Sequence, residues 1–145
     1  MAQDYLKKAR RCLKESTLAF NEKDYSMAVR RAQESVELSL KAILRFFSIE
    51  YPKVHDVSPA LPSVQTLSET PEWFKDKIPK FIEISRELSK SRGPALYGLE
   101  SELKPSSKIF DEIDAKEALE SATFVNNSCN KLIFKTGKTY PKEKP

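Results

Sequence analysis

The sequence predicts an all-α protein, an up-and-down helical bundle of four to five helices, and three observations lead there. Apolar residues recur at three- and four-residue steps over long segments, nothing alternates with the two-residue period of a surface strand, and short polar breaks separate the periodic segments. A near-heptad spacing in the longest segment suits the shallow crossing angles of a bundle.

The elements follow in order. Leu6, Ala9, Leu13 and Phe20, with Tyr5, Cys12 and Ala19 beside them, predict an amphipathic helix over residues 4–21. Residues 21–24 are polar, and Asp24 is placed to cap a second helix, so the first two should form an antiparallel hairpin. In that second helix Tyr25, Val29, Ala32, Val36, Leu40, Ile43 and Phe47 form the stripe. Leu38 and Phe46 lie off it and call for cover by a further helix or a second subunit. Prolines 59, 62, 71 and 79 leave room only for short helical pieces, around residues 61–68 and 71–77. A helix begins at Pro79 with Phe81, Ile82, Ile84 and Leu88, and is expected to stop near Arg92 because Gly93-Pro94 disfavours its continuation. Residues 93–107 are expected to be irregular. Asp114 is read as the cap of a last long helix carrying Ala115, Ala118, Leu119, Ala122, Val125, Cys129, Leu132 and Ile133, ended by Thr136-Gly137. Residues 1–135 are therefore one bundle, and the basic tail 136–145 is expected to be flexible or ordered by a partner.

Composition narrows the chemistry. A single domain of 145 residues buries roughly 68–70% of its unfolded surface, so no disulfide is needed. Cys12 and Cys129 form no CxxC pair, and the expected setting is reducing and cytoplasmic. The N-terminus has no basic segment leading into an apolar run, and no membrane span is expected. The three glycines, Gly93, Gly98 and Gly137, are too scattered for a phosphate-cradling loop, and there is no GxSxG elbow. No cofactor and no metal site are expected. Lys and Arg number 25 against 21 Asp and Glu, a net charge of +4 that weakly favours an anionic partner. Lys7, Lys8, Arg10, Arg11 and Lys14 crowd the first helix, Arg30 and Arg31 the second, and Lys138, Lys142 and Lys144 the tail. Acidic residues are interspersed, so this is read as a solvated face before it is read as a nucleic-acid footprint.

The one histidine, His55, sits just past the end of the second helix and permits a single imidazole role per chain. Its neighbours carry a family pattern. Tyr5-Leu6-Lys7-Lys8-Ala9, Asp24-Tyr25-Ser26-Met27-Ala28-Val29, Ala32-Gln33-Glu34-Ser35-Val36-Glu37, Leu40-Lys41-Ala42 and Pro52-Lys53-Val54-His55-Asp56 resemble the HEPN domain, the higher eukaryote and prokaryote nucleotide-binding helical bundle. The matches cover roughly the first 60 residues, with the later helices agreeing in outline.

The resemblance implies a bundle that commonly dimerises and often works beside a small nucleotidyltransferase. It also implies, for many members, RNase activity from an arginine followed four to six residues on by a histidine. Here Arg92 stands in the matching place and Tyr97 occupies the histidine's position. Imidazole, with an unperturbed pKa of about 6.5, exchanges protons near neutrality, whereas a phenol at about 10 is a poor base. Arg92 retains the planar fork that holds phosphate. The expected function is thus a nucleotide- or RNA-binding bundle acting with a separate nucleotidyltransferase. The alternatives are a divergent, metal-independent RNase of a toxin–antitoxin pair using Arg92 with Tyr97 or His55, and a structural or protein-interaction bundle. Some family nucleotidyltransferases modify a tyrosine two residues beyond the motif histidine; Tyr97 takes the histidine's own place instead, and its plainer reading is a loop aromatic packed on the bundle. Arg92, Lys41, Glu37 and His55 are the expected nucleotide or phosphate contacts. Each has a plainer reading too: Glu37 and Lys41 as an i, i+4 pair worth about 0.2–0.5 kcal/mol, and His55 as a residue that fixes its loop, with Asp56 capping the segment after it.

Overall fold

The computed structural model describes residues 1–99 and 102–135. Four long helices, α1 (Ala2–Asn21), α2 (Tyr25–Phe46), α5 (Ile78–Tyr97) and α6 (Glu112–Asn130), form an up-and-down bundle, with one-turn helices α3 (Leu61–Gln65) and α4 (Glu72–Lys75) between α2 and α5. Among the described residues there is no strand, only one isolated bridge between Leu99 and Lys104. The basic tail at 136–145 and the expected helix end at Thr136-Gly137 lie outside the described residues.

Helix α2 is the central element and packs on α1, α5 and α6. Its sequence shows why. The apolar stripe is buried as expected, but Ser26, Ala28, Ala32, Ser35, Ser39 and Ala42 are buried as well, so the helix is covered on most of its circumference. Small residues let neighbouring backbones come close. Ser16 Oγ of α1 donates to the Ala28 carbonyl at 2.7 Å, and Ser35 Oγ of α2 donates to the Ala9 carbonyl at 2.8 Å. Towards α6, Asn126 donates to Ser39 Oγ at 3.1 Å. Leu38 and Phe46, off the stripe, are partly buried within the chain.

The α1–α2 hairpin is closed by local chemistry. Asp24 accepts a hydrogen bond from the Met27 N–H at 3.4 Å, as its place in the sequence predicts. Both helices end in the same six-to-one and five-to-two pattern, from Asp24 N to Ala19 O and Lys23 N to Phe20 O, and from Ile49 N to Leu44 O and Ser48 N to Arg45 O. The residue in the left-handed position is Lys23, at φ 64°, and Ser48, at φ 57°.

The second half departs from expectation twice. Helix α5 does not stop at Arg92 but runs on through Gly93 and Pro94 to Tyr97. Proline removes the N–H that would bond the Lys90 carbonyl. Tertiary contacts support the extra turn: Ala95 is fully buried, and the Arg30 guanidinium donates to the Arg92 carbonyl at 2.9 Å. The true stop is Gly98, at φ 74°, where a Cβ would collide with the Lys104 carbonyl and crowd the Ser106 amide. Helix α6 is capped by Asp111 rather than Asp114. The two form a reciprocal capping box, Asp114 N–H to Asp111 at 2.9 Å and Asp111 N–H to Asp114 at 3.0 Å. Past Asn130 the chain widens into a π-helical turn at Lys131–Lys135 that buries Leu132 and Ile133. An aromatic chain, Trp73–Phe74–Phe81–Phe124, with neighbouring centroids 5.3–5.6 Å apart, seals the end where α4 and α5 meet α6.

A non-glycine residue held in the left-handed region loses about 1 kcal/mol relative to glycine. Lys23→Gly should therefore stabilise the protein by about 1 kcal/mol and raise Tm by about 2–4 °C; an unchanged or lower Tm in a thermal melt would show that the turn is not strained.

Candidate functional site

Gln33, Glu37 and Lys41 succeed one another by one helical turn and therefore share a side of α2. Glu37 is their centre. Its Oε1 accepts from Gln33 Nε2 at 3.0 Å and its Oε2 from Lys41 Nζ at 2.7 Å, the i, i+4 pair expected from the sequence. His55 Nδ1 lies 3.1 Å from Oε1 and 3.3 Å from Oε2. From α5, Arg92 Nη1 donates to Gln33 Oε1 at 2.6 Å and sits 3.8 Å from Glu37 Oε1 and 3.6 Å from Glu34 Oε2. Glu34 carries the network further, to Arg30 at 3.3 Å and Arg31 at 2.6 Å, and Arg31 reaches Glu15 of α1 at 3.2 Å.

Four of the five expected site residues are thus brought to one carboxylate or its immediate neighbour. Their exposures differ. The Glu37 side chain is 10% exposed, Arg92 21% and His55 57%. Burial pushes the Glu37 carboxyl up, but the hydrogen bonds from Lys41 and Gln33 and the charges of Lys41 and His55 outweigh it and hold the carboxyl below its ordinary value. The loop carrying His55 is tied to α5 by the next residue. Asp56 accepts from the Ser58 N–H at 3.0 Å and from Ser85 Oγ at 2.7 Å. Burial raises its carboxyl, and these donors, Ser85 foremost, more than offset that and lower it. Tyr97 is not brought to this cluster. It is 69% exposed at the last turn of α5, and five residues of helix rotate it about 140° from Arg92.

In front of Glu37 lies a pocket of about 790 Å³ lined by Tyr5, Lys41, Arg45, Tyr51, Lys53 and His55, among others. Arg92 is on the inner side of Glu37, outside that lining. Arg45 is exposed and is held by rings: its guanidinium carbon is 5.1 Å from the Tyr5 centroid and 5.9 Å from the Tyr51 centroid, and its Nε donates to the Tyr51 hydroxyl at 3.2 Å. Lys41 Nζ is also 5.9 Å from the Tyr51 centroid. Tyr5, Arg45, Tyr51 and Lys53 are additions that the sequence did not single out as site residues. The available signal was Arg45, one turn beyond Lys41 on the same side of α2. A second pocket of about 650 Å³, between α5 and α6, carries the opposite charge, with Glu83, Glu87, Asp114, Glu117 and Glu120 against Lys80.

Among the described residues no three His, Cys, Asp or Glu side chains are grouped so as to hold a metal ion, and no helix is long and apolar enough to cross a membrane. Burial pushes the Cys12 thiol up to about 11, and that of fully buried Cys129 still higher, so neither is a ready thiolate.

The molecule is thus of the all-α class, an up-and-down helical bundle with a polar centre where the second helix meets the loop after it. The profile of the HEPN domain matches residues 2–132, and the chain belongs to that family. Among solved structures it is similar to TT1696 from Thermus thermophilus, at 21% identity and a TM-score of 0.72, covering 90% of this chain and 96% of that one. It is also similar to ST0689, an archaeal HEPN homologue, at 24% identity and a TM-score of 0.65, covering 92% of this chain and 98% of that one. At these identities the likeness shows the shared fold. Among curated proteins none matches the sequence.

Because the folded-state pKa of Glu37 is depressed, its contribution to stability is fully present above the unfolded carboxylate value of about 4.3 and is lost as the pH falls through the lower folded value. Glu37→Gln should lose roughly 1.5–3 kcal/mol at pH 7, and the gap to the parent protein should close as the pH is lowered through that window. Urea unfolding at pH 7 and at pH 3 measures both; a gap that stays constant with pH would contradict the assignment.

Proposed function

We propose that this HEPN domain binds the phosphates of RNA or of a nucleotide in the pocket in front of Glu37. The observation that carries this reading is the lining itself. Lys41, Arg45, Lys53 and His55 face one cavity of about 790 Å³ and outnumber its two carboxylates, Glu50 and Glu37, of which Glu37 is already satisfied by internal donors. Phosphate contacts by lysine and arginine supply affinity without sequence preference, so binding should fall steeply with salt. The acidic pocket between α5 and α6 repels the same ligand.

A second reading, metal-independent RNA cleavage of the kind a toxin would use, is favoured by one specific distance. Arg92 Nη1 and His55 Nδ1 approach the same oxygen of Glu37, at 3.8 and 3.1 Å, so the two nitrogens are no more than about 7 Å apart. The Glu37 oxygen itself lies between them, so a phosphate would meet the imidazole from its Nε2 side. Glu37 holds the Nδ1 side of the imidazole, the arrangement in which a carboxylate orients a base and leaves the Nε2 side for substrate. His55 would then take the proton of a 2′-hydroxyl as its oxygen bonds to phosphorus and the bond to the 5′-oxygen breaks, the departing oxygen gaining a proton from water. Tyr97 has no part in this version. The nucleotidyltransferase partner and the homodimer implied by the family resemblance belong to the same proposal; co-purification with a small nucleotidyltransferase and sedimentation of the purified chain test them separately.

Binding of a labelled single-stranded RNA, followed by fluorescence anisotropy, should weaken as salt rises and fall at least about tenfold in Lys41→Gln with Lys53→Gln. Cleavage, if it accompanies binding, should persist in chelator and disappear in His55→Ala and in Arg92→Ala. Binding without cleavage leaves the first reading alone standing, and cleavage that survives His55→Ala rules out the second.

A further inference from the structure

We infer that the Tyr5–Arg45–Tyr51 cluster is a base-stacking subsite, in which an unpaired nucleobase of single-stranded RNA lies on the Arg45 guanidinium while Lys53 and Lys41 hold the adjoining phosphates. The inference rests on the phosphate-binding reading of the pocket and adds what that reading lacks, a reason for the ligand to carry a base.

The argument begins with what holds Arg45. A surface arginine ordinarily finds a carboxylate, but among the described residues none lies within ion-pair distance of Arg45. Its partners are two phenol rings instead. The guanidinium packs on Tyr5 at 5.1 Å, and the Tyr51 hydroxyl, accepting from Nε at 3.2 Å, fixes the plane. A guanidinium supported on one face by a ring and locked at its edge is a rigid planar cation, and Arg45 remains exposed in this arrangement. Nucleobases stack on arginine planes as they do on aromatic rings, and such stacking tolerates any base.

The position of the cluster adds to this. Arg45 stands in the last turn of α2, where the chain turns back through Ser48 in the left-handed conformation, and the returning segment delivers Tyr51, Lys53 and His55 to the same cavity. Lys41 lies one turn earlier on α2. A nucleotide resting on Arg45 therefore has cations on both sides of its sugar-phosphate, and the strand continuing past Lys41 meets Glu37 and His55. An inorganic phosphate or a polyanion would use the cations but not the plane. Substituting the plane while keeping the charge separates these cases.

The test is an anisotropy titration of the full chain with a labelled single-stranded RNA and with the same strand made abasic, comparing wild type, Arg45→Lys and Tyr51→Phe, with circular dichroism to confirm that each variant is helical. Wild type should bind the normal strand about tenfold tighter than the abasic strand. Arg45→Lys, which keeps the charge and loses the plane, should bring the ratio of normal-strand to abasic-strand affinity from about tenfold to near one, whatever its effect on the abasic strand alone; Tyr51→Phe, which removes only the lock, should lower that ratio in part. Equal affinity of wild type for the two strands, or an Arg45→Lys protein that retains the full preference, overturns the subsite while the phosphate-binding reading stands. If folded wild type binds neither strand, the reading beneath it fails and the subsite fails with it.

Discussion

A carboxylate that is only 10% exposed inside a helical bundle has to be met by donors, because a buried unpaired charge is strongly destabilising. At Glu37 the donors come from three places in the chain: Gln33 and Lys41 from the same helix, His55 from the loop after it, and Arg92 nearby from α5. Meeting that one charge fixes the rotation of α2, the course of the segment from Ser48 to Asp56, and the depth at which α5 packs. Three other buried polar residues of α2, the most buried helix, are met as well: Gln33 at the Glu37 centre, Ser35 by the Ala9 carbonyl of α1 and Ser39 by Asn126 of α6, so with Glu37 none of the four is orphaned. Each bonds to a neighbouring helix or to the Glu37 centre.

The same centre divides the surface electrically. Arg92, Arg30 and Arg31 are neutralised inward by Glu34, Glu37 and Glu15, whereas Arg45 is held by rings and keeps its charge for the pocket. On the far side, between α5 and α6, five carboxylates gather around a single lining lysine, Lys80. A bundle of modest net charge, +4 over the whole sequence, therefore presents one cavity in which cationic side chains outnumber the carboxylates Glu37 and Glu50, and one in which carboxylates predominate. The residues lining the first are also those that the capped end of α2 and its returning loop bring together, so local backbone geometry and site chemistry share one cause.

Much of the fold could be read from residue spacing. The α1 and α2 stripes, the Asp24 cap, the short pieces after the prolines and the apolar face of α6 all rest on interactions within a few residues of one another. Where spacing misled, a distant contact decided. Gly93-Pro94 reads locally as a helix stop, but burial of Ala95 and the Arg30 bond to the Arg92 carbonyl sustain another turn, and Gly98 ends it. Asp111 and Asp114 are both competent caps three residues apart; the capping box uses both, with Asp111 outermost. In the site, Glu37 and Lys41 are visible as a helical pair and His55 as a loop residue.

By itself the sequence determined the helical periods, the central hairpin, the family pattern and the residue types able to hold a phosphate, because all of these follow from neighbours along the chain. Only the tertiary structure decided that Arg92 turns inward to Gln33 and Glu37, that Tyr97 faces away from them, and that Tyr5, forty residues before Arg45, supports its guanidinium. Those outcomes depend on how α1, α2 and α5 pack side by side. Packing of that kind is set by the fit of whole helix surfaces, and no local spacing encodes it.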